Sequence, residues 1–131
     1  MYEDDINSWA RRKVAKMMKS NNEELLQYII VNKDIPLSTG KIAAHAAHAS
    51  IIMTLAEQGT ERFKDWYDDG NMQRKIILKA KEKDLEKLEK EYYSVRDRGF
   101  YETEEGTLVA VSLGIMTREE AKPIVKRFQL L

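Results

Sequence analysis

Apolar positions along the chain change their spacing several times, and each change marks an element. Between residues 6 and 19, Ile6, Trp9, Ala10, Val14, Met17 and Met18 recur at helical spacing. Ser20-Asn21-Asn22 breaks that pattern. Leu26-Gln-Tyr-Ile-Ile-Val31 is then a short run of β-branched and aromatic residues, which predicts a buried strand. Pro36 and Gly40 mark a turn, and the alanine-rich segment from about Thr39 to Glu57 predicts a helix that ends before Gly59. Thr60 can cap a short second helix with Phe63, Trp66 and Tyr67 on its apolar face and Gly70 as its stop. Gln73 to Ala80 reads as a second strand and Lys83 to Glu91 as a brief charged helix with Leu85 and Leu88 inward. Tyr92 to Asp97 is a third, weaker strand, whereas Thr107 to Leu113 is the strongest strand pattern in the chain and Gly114 closes it. Thr117-Arg-Glu-Glu120 has the capping-box pattern of a last helix, with Pro123 in or near its first turns.

This order predicts an α/β domain whose sheet is covered by helices on both faces. Helices that separate the early strands imply some parallel pairing. At 131 residues the chain is long enough for one domain with a sizeable core. Residues 1–24 form a basic amphipathic helical extension to a domain over 25–131, because Arg11, Arg12, Lys13, Lys16 and Lys19 lie among residues 6 to 19 with no acid between them. A solvated face, an RNA-binding arm and a membrane-surface helix all fit that segment.

Charge narrows the functional classes. With 22 basic and 22 acidic residues the formal net charge is zero, so nucleic-acid binding would rest on local patches rather than a global field. The absence of cysteine removes disulfides, thiolate metal sites and a cysteine nucleophile, and fits a reducing compartment. No apolar run approaches the roughly 20 residues of a membrane span, and the charged N-terminus lacks the centre of a signal peptide. The expectation is a cytoplasmic protein with no membrane partner.

Candidate chemistry concentrates on the alanine-rich helix. Lys41, His45 and His48 stand at i, i+4 and i+7, one stripe that contains both histidines of the chain. The Thr39-Gly40-Lys41 corner would direct backbone N–H groups and a cation at an anion. It lacks the earlier glycine of a Walker A loop, and Ile42 stands where that loop has its Ser or Thr. Two histidines three apart could share a metal, but no third ligand with matching spacing is identifiable, and no metal or other cofactor is expected. Asp97, at a predicted strand end before Arg98-Gly99, either caps a turn or faces a ligand across the strand ends.

Several ordered motifs carry a resemblance. Tyr28-Ile-Ile-Val-Asn-Lys-Asp34, followed by Gly40-Lys-Ile-Ala-Ala-His-Ala-Ala-His-Ala49, is similar to the opening strand and helix of the archaeal and eukaryotic-type peptidyl-tRNA hydrolases. Phe63-Lys-Asp-Trp-Tyr-Asp-Asp-Gly70 with Arg74-Lys-Ile-Ile-Leu-Lys79 resembles the Trp-containing helix and second strand of that family, and Val95-Arg-Asp-Arg-Gly99 its third-strand motif. Gly106-Thr107, Ala110, Gly114 and the closing Leu130-Leu131 also match, so the resemblance covers about residues 26 to 131.

The resemblance implies a compact domain with a mixed four-stranded sheet between helices, commonly a homodimer, that hydrolyses the ester joining a peptide to the terminal ribose of tRNA. It implies Lys41 and Asp97 as active-site residues; His48 stands where the family usually has histidine, and His45 replaces a usual glutamine. At the two hydroxyl positions of the family this chain carries Tyr101 and Val109, which makes it a divergent member. The expected catalytic set is therefore Lys41, Asp97 and His45, with Gly40, Arg74, Lys75, Arg96, Arg98 and Tyr101 as substrate-binding residues and His48 in a structural role. The competing expectation is a non-catalytic relative that binds RNA or protein through the same cleft, favoured by Val109 and Tyr101 and opposed by Lys41 and Asp97.

Overall fold

The computed structural model describes residues 24–68, 72–99 and 104–131. The expected N-terminal helix, the Gly70 stop and Tyr101 lie outside the described residues. The chain runs through strand β1 (Leu25–Asn32), helices α1 (Thr39–Glu57) and α2 (Glu61–Asp68), strand β2 (Lys75–Ala80), helix α3 (Glu82–Glu89) and strands β3 (Tyr93–Arg96), β4 (Leu108–Ser112) and β5 (Met116–Thr117). Helix α4 (Arg118–Val125) and strand β6 (Gln129–Leu130) complete it. The sheet order is β3-β4-β1-β2-β6, with β5 pairing the start of β1. Strands β1 and β2 are parallel, whereas β1 with β4, β3 with β4, β1 with β5 and β2 with β6 are antiparallel.

The four strands that the sequence predicts are all present, and among the described residues two more join their sheet. The two additions, β5 and β6, are two residues long, too short to show an alternation along the chain. Both are held by partners distant in sequence: Leu26 faces Met116, and Leu78 faces Leu130.

Strand β1 is central and buried on both faces, which is why its sequence reads as a continuous apolar run. Ile29 and Val31 pack towards α1 with Ala49, Val95 and Val109. Leu26, Tyr28 and Ile30 face the other way, onto Leu78, Leu85, Leu108 and Ala121 beneath α3 and α4. A third cluster joins Met53 of α1, Phe63 and Trp66 of α2, and Ile115. Tyr67, expected on the apolar face of α2, is instead exposed and stacks on Phe63 at 5.7 Å between centroids. Trp66 donates its indole N–H to the Arg74 carbonyl at 2.8 Å, which ties α2 to the start of β2.

Caps set the helix ends where the sequence places them. Ser38 Oγ accepts from Lys41 N at 3.3 Å, and Thr60 Oγ1 accepts from Phe63 N at 3.1 Å. Thr117 and Glu120 form the reciprocal capping box of α4. Pro123 lies inside that helix. Two polar arrangements, buried or half-buried, fasten α1 to the rest of the domain. Gln27 of β1 accepts from Ser50 Oγ at 2.9 Å and donates to Ser112 Oγ at 3.0 Å. At the end of α1, Glu57 accepts from Tyr93 OH at 2.8 Å and from Ile115 N at 3.2 Å. No described helix is long and apolar enough to cross a membrane.

Burial, then the hydrogen bond and charge of Glu57, push the Tyr93 hydroxyl up to about 12 from its usual value near 10.0. A pKa raised in the folded state means that the stabilising contact is fully present below pH 10 and is lost as the pH rises through about 12. Tyr93→Phe is expected to lower stability at neutral pH by about 1 kcal/mol. In urea titrations it should also flatten the fall in stability over that alkaline window, and an unchanged alkaline slope would contradict the Glu57 contact.

Candidate active site

The end of the sheet fixes the site. Strand β4 carries one residue more than β3 in their ladder: Val95 faces Ala110 and Arg96 faces Leu108, with the irregularity between them. This bulge lets Val109 join Ala110 on the α1 side while Leu108 returns to the other core. It also ends regular pairing just where β3 delivers Asp97. A short ladder continues beyond it, since Asp97 N donates to Thr107 O at 2.9 Å and Gly106 N donates to Asp97 O at 2.7 Å. The backbone then turns through Gly99, whose φ of +81° is one that side chains resist, and a Cβ there would lie 2.6 Å from Glu105 N. That turn brings Gly99 N to Asp97 Oδ1 at 2.7 Å.

With Oδ1 held by the backbone, Oδ2 faces α1. Lys41 Nζ stands 3.4 Å from it and His45 Nε2 3.3 Å. The carboxylate is almost fully enclosed and so is the imidazole, whereas the Lys41 side chain keeps 20 % of its surface exposed. Burying a carboxylate is costly unless charge and hydrogen bonds compensate, and the N–H, the ammonium and the imidazole supply that compensation. The alanines of α1 make the approach possible: Ala46 and Ala49 pack on the sheet with little side-chain bulk between helix and strand, so that the i, i+4 pair reaches the strand end.

A cleft of about 540 Å³ opens on this cluster. Lys41, His45, His48 and Ile52 border it from one stripe of α1, and Ser94, Arg96, Asp97 and Arg98 from the opposing strand end. His48 is exposed and borders the cleft from α1. Ile51 and Ile52 extend the wall and were not picked out from the sequence; Ile52 lies eleven residues after Lys41, three turns along the same stripe.

The expected binding residues divide. Gly40 occupies the exposed first turn of α1, beside Lys41, with open space where a Cβ would stand. Arg96 lies at the cleft but is engaged by Glu89 through two hydrogen bonds of 2.9 and 2.6 Å. That bond holds the Glu89 carboxyl below its ordinary range. Arg98 also borders the cleft. Arg74 and Lys75 are not brought to it: they precede or open β2, which runs parallel to β1 and so places them at the far end of the sheet from Asp97. There Arg74 pairs with Glu24, and Lys75 lies 5.2 Å from the centre of a Trp66 ring, with burial lowering its pKa. Val109, in the core, presents no hydroxyl. Among the described residues, no three or more of His, Cys, Asp and Glu gather to hold a metal ion.

Fold and site together define an α/β domain with a cleft that gathers a lysine, a histidine and an aspartate at the carboxyl end of β3. The chain belongs to the family described as Peptidyl-tRNA hydrolase PTH2, which matches residues 25–131. Among similar curated proteins, the "Peptidyl-tRNA hydrolase" of Thermoplasma acidophilum is 34% identical over a stretch covering 79% of this chain and 95% of the relative. That of Methanopyrus kandleri is 35% identical, covering 80% and 97%.

Gly99 and Gly106 separate two costs at the loop that holds Asp97. Both have positive φ, but a Cβ collides with backbone at Gly99 and meets nothing within 4 Å at Gly106. Gly106→Ala is expected to cost on the order of 1 kcal/mol and Gly99→Ala roughly 2 to 3 kcal/mol in denaturant unfolding. Equal losses would contradict the close approach of Glu105.

Proposed function

We propose that the protein hydrolyses the ester that joins a peptide to the terminal ribose of tRNA. The observation that carries this reading is the convergence of Lys41 and His45 on one oxygen of Asp97 at the floor of an open cleft. The names of the similar proteins supply the substrate class.

Ester hydrolysis requires a water made nucleophilic, stabilisation of the negative charge that develops on the carbonyl oxygen, and a proton for the departing ribose oxygen. Asp97 Oδ2 and His45 take the first task. The carboxylate orients the water and the imidazole accepts its proton, directly or through the carboxylate, then returns it to the leaving oxygen. Lys41, whose side chain is more exposed than that of His45, stabilises the oxyanion together with the first-turn amides of α1. Gly40 leaves that turn uncovered for the substrate. His45 supplies the titratable group for which Val109 offers no hydroxyl. Arg96 and Arg98 at the cleft rim meet the RNA backbone near the ester, Tyr101 adds a further contact to the substrate, and Arg74 and Lys75, at the other end of the sheet, reach a remote part of the tRNA. Residues 1–24 act as a basic extension to this domain. A cytoplasmic homodimer completes the proposal; the exposed Ile51 and Leu55 of α1 offer apolar surface for pairing.

In steady-state assays with peptidyl-tRNA, Lys41→Ala and Asp97→Ala are each expected to lower kcat by about 10² to 10⁴ while far-ultraviolet circular dichroism stays that of the parent. A variant of either kind that turns over at the parent rate would sink the assignment. His45→Gln keeps a polar group but accepts no proton, so it should lose as much as His45→Ala. Full activity in His45→Gln would reduce the residue to an orienting role.

A further inference from the structure

A second concave feature lies apart from the cleft, and no step of the hydrolysis uses it. Strands β1, β2 and β3 run in one direction, because β1 is parallel to β2 and antiparallel to β4, which is antiparallel to β3. Lys33, Lys81 and Asp97 are each the first residue after one of these three strands. All three therefore stand at the same end of the sheet. Lys33 and Lys81 border a pocket of about 210 Å³, together with Lys79 of β2, Arg127 after α4 and Asp84 of α3.

Four cations and one carboxylate around a single depression are a concentration of positive charge in a chain whose formal charge is zero. The nearby acids are turned to other tasks. Asp34 Oδ2 accepts from Glu82 N at 2.9 Å, and Glu82 Oε1 accepts from Asn32 Nδ2 at 3.3 Å. Asp84 sits 3.8 Å from one Arg127 nitrogen, a long contact with one of several donors that a guanidinium carries. The lysines are placed by rigid elements: Lys33 N donates to Ala80 O at 2.9 Å, and Lys79 is paired to Gln129 and Val31 within the sheet. The pocket occupies the crevice outside the carboxyl ends of the parallel pair, where α/β sheets gather ligands.

We propose that this pocket binds a backbone phosphate of tRNA whose 3′ end lies in the Lys41–Asp97 cleft. The proposal rests on the hydrolase reading for the identity of the RNA. Strand β2 is three positions from β3, so pocket and cluster are separated by roughly 14 Å across the sheet end. A strand of RNA leaving the cleft and passing over the ends of β4 and β1 meets the pocket within a few nucleotides. Shape and charge are read there, not base sequence.

The test measures binding of unacylated tRNA to the full chain across a salt series, beside turnover of peptidyl-tRNA. Arg127 and Lys81 are exposed, so Lys81→Gln with Arg127→Gln keeps the fold intact. That double variant is expected to weaken tRNA binding at low salt by about tenfold or more. It should also reduce the slope of log K against log salt by about one for each phosphate that is no longer neutralised, with the fall in turnover appearing in KM rather than kcat. Asp84→Asn, which removes the pocket's carboxylate, should tighten binding. Parent affinity and parent slope in the double variant, or no gain in Asp84→Asn, would overturn the phosphate site while leaving hydrolysis standing. A parent protein that binds tRNA but releases no peptide would remove the hydrolase reading instead, and the salt series would still decide whether the pocket holds phosphate.

Discussion

Everything at the functional end of this protein depends on one buried carboxylate. Asp97 Oδ2 is shared by the Lys41 ammonium and the His45 imidazole, while Oδ1 is held by Gly99 N. A carboxylate in a low-dielectric position is tolerated because these groups replace its water, and they come from two places, helix α1 for Lys41 and His45 and the turn after β3 for Gly99 N. The β3–β4 bulge ends the ladder at the right residue, the left-handed Gly99 bends the chain back to Asp97, and the small side chains of α1 bring its polar stripe to the strand end. Displacing any one of them removes part of the compensation of a buried charge, so the site is also a point of stability.

The remainder of the fold holds that geometry from a distance. Helix α1 is fastened at its middle by the Ser50–Gln27–Ser112 chain and at its end by Glu57 on Tyr93 and Ile115. These contacts fix the helix along its axis and in rotation, and thereby where Lys41 and His45 point. Tyr93 opens the strand that delivers Asp97, so the two ends of α1 and β3 are tied as a pair.

Much of this was legible in the sequence where the signal is local. The span Thr39–Glu57 came from caps and breakers and is the observed helix, and the Thr117–Glu120 capping box opens α4 as its pattern demands. The i, i+4, i+7 stripe placed Lys41, His45 and His48 on one wall without any tertiary knowledge. What escaped is what only distant residues decide. β5 and β6 have two residues each and exist through their partners. Tyr67 carries the right helical phase but faces solvent beside Phe63, since α2 is too short to bury a wider face. Arg74 and Lys75 look like members of one basic set with Arg96 and Arg98, and strand direction alone separates them. The pocket of Lys33, Lys79, Lys81 and Arg127 is likewise invisible along the chain, because its cations come from the ends of two strands and of a helix.

The central claim is that Lys41 is held by Asp97 where the oxyanion forms, so that the two, although their tasks differ, act on the ester as one unit. A double-mutant cycle on kcat/KM for peptidyl-tRNA, with Lys41→Ala, Asp97→Ala and the pair, measures it most directly. Groups that work together lose most of their effect with the first substitution. The double variant should then be little slower than the worse single variant. Losses that multiply, each substitution costing the same factor whether or not the other is present, would mean that the contact between Lys41 and Asp97 plays no part in catalysis.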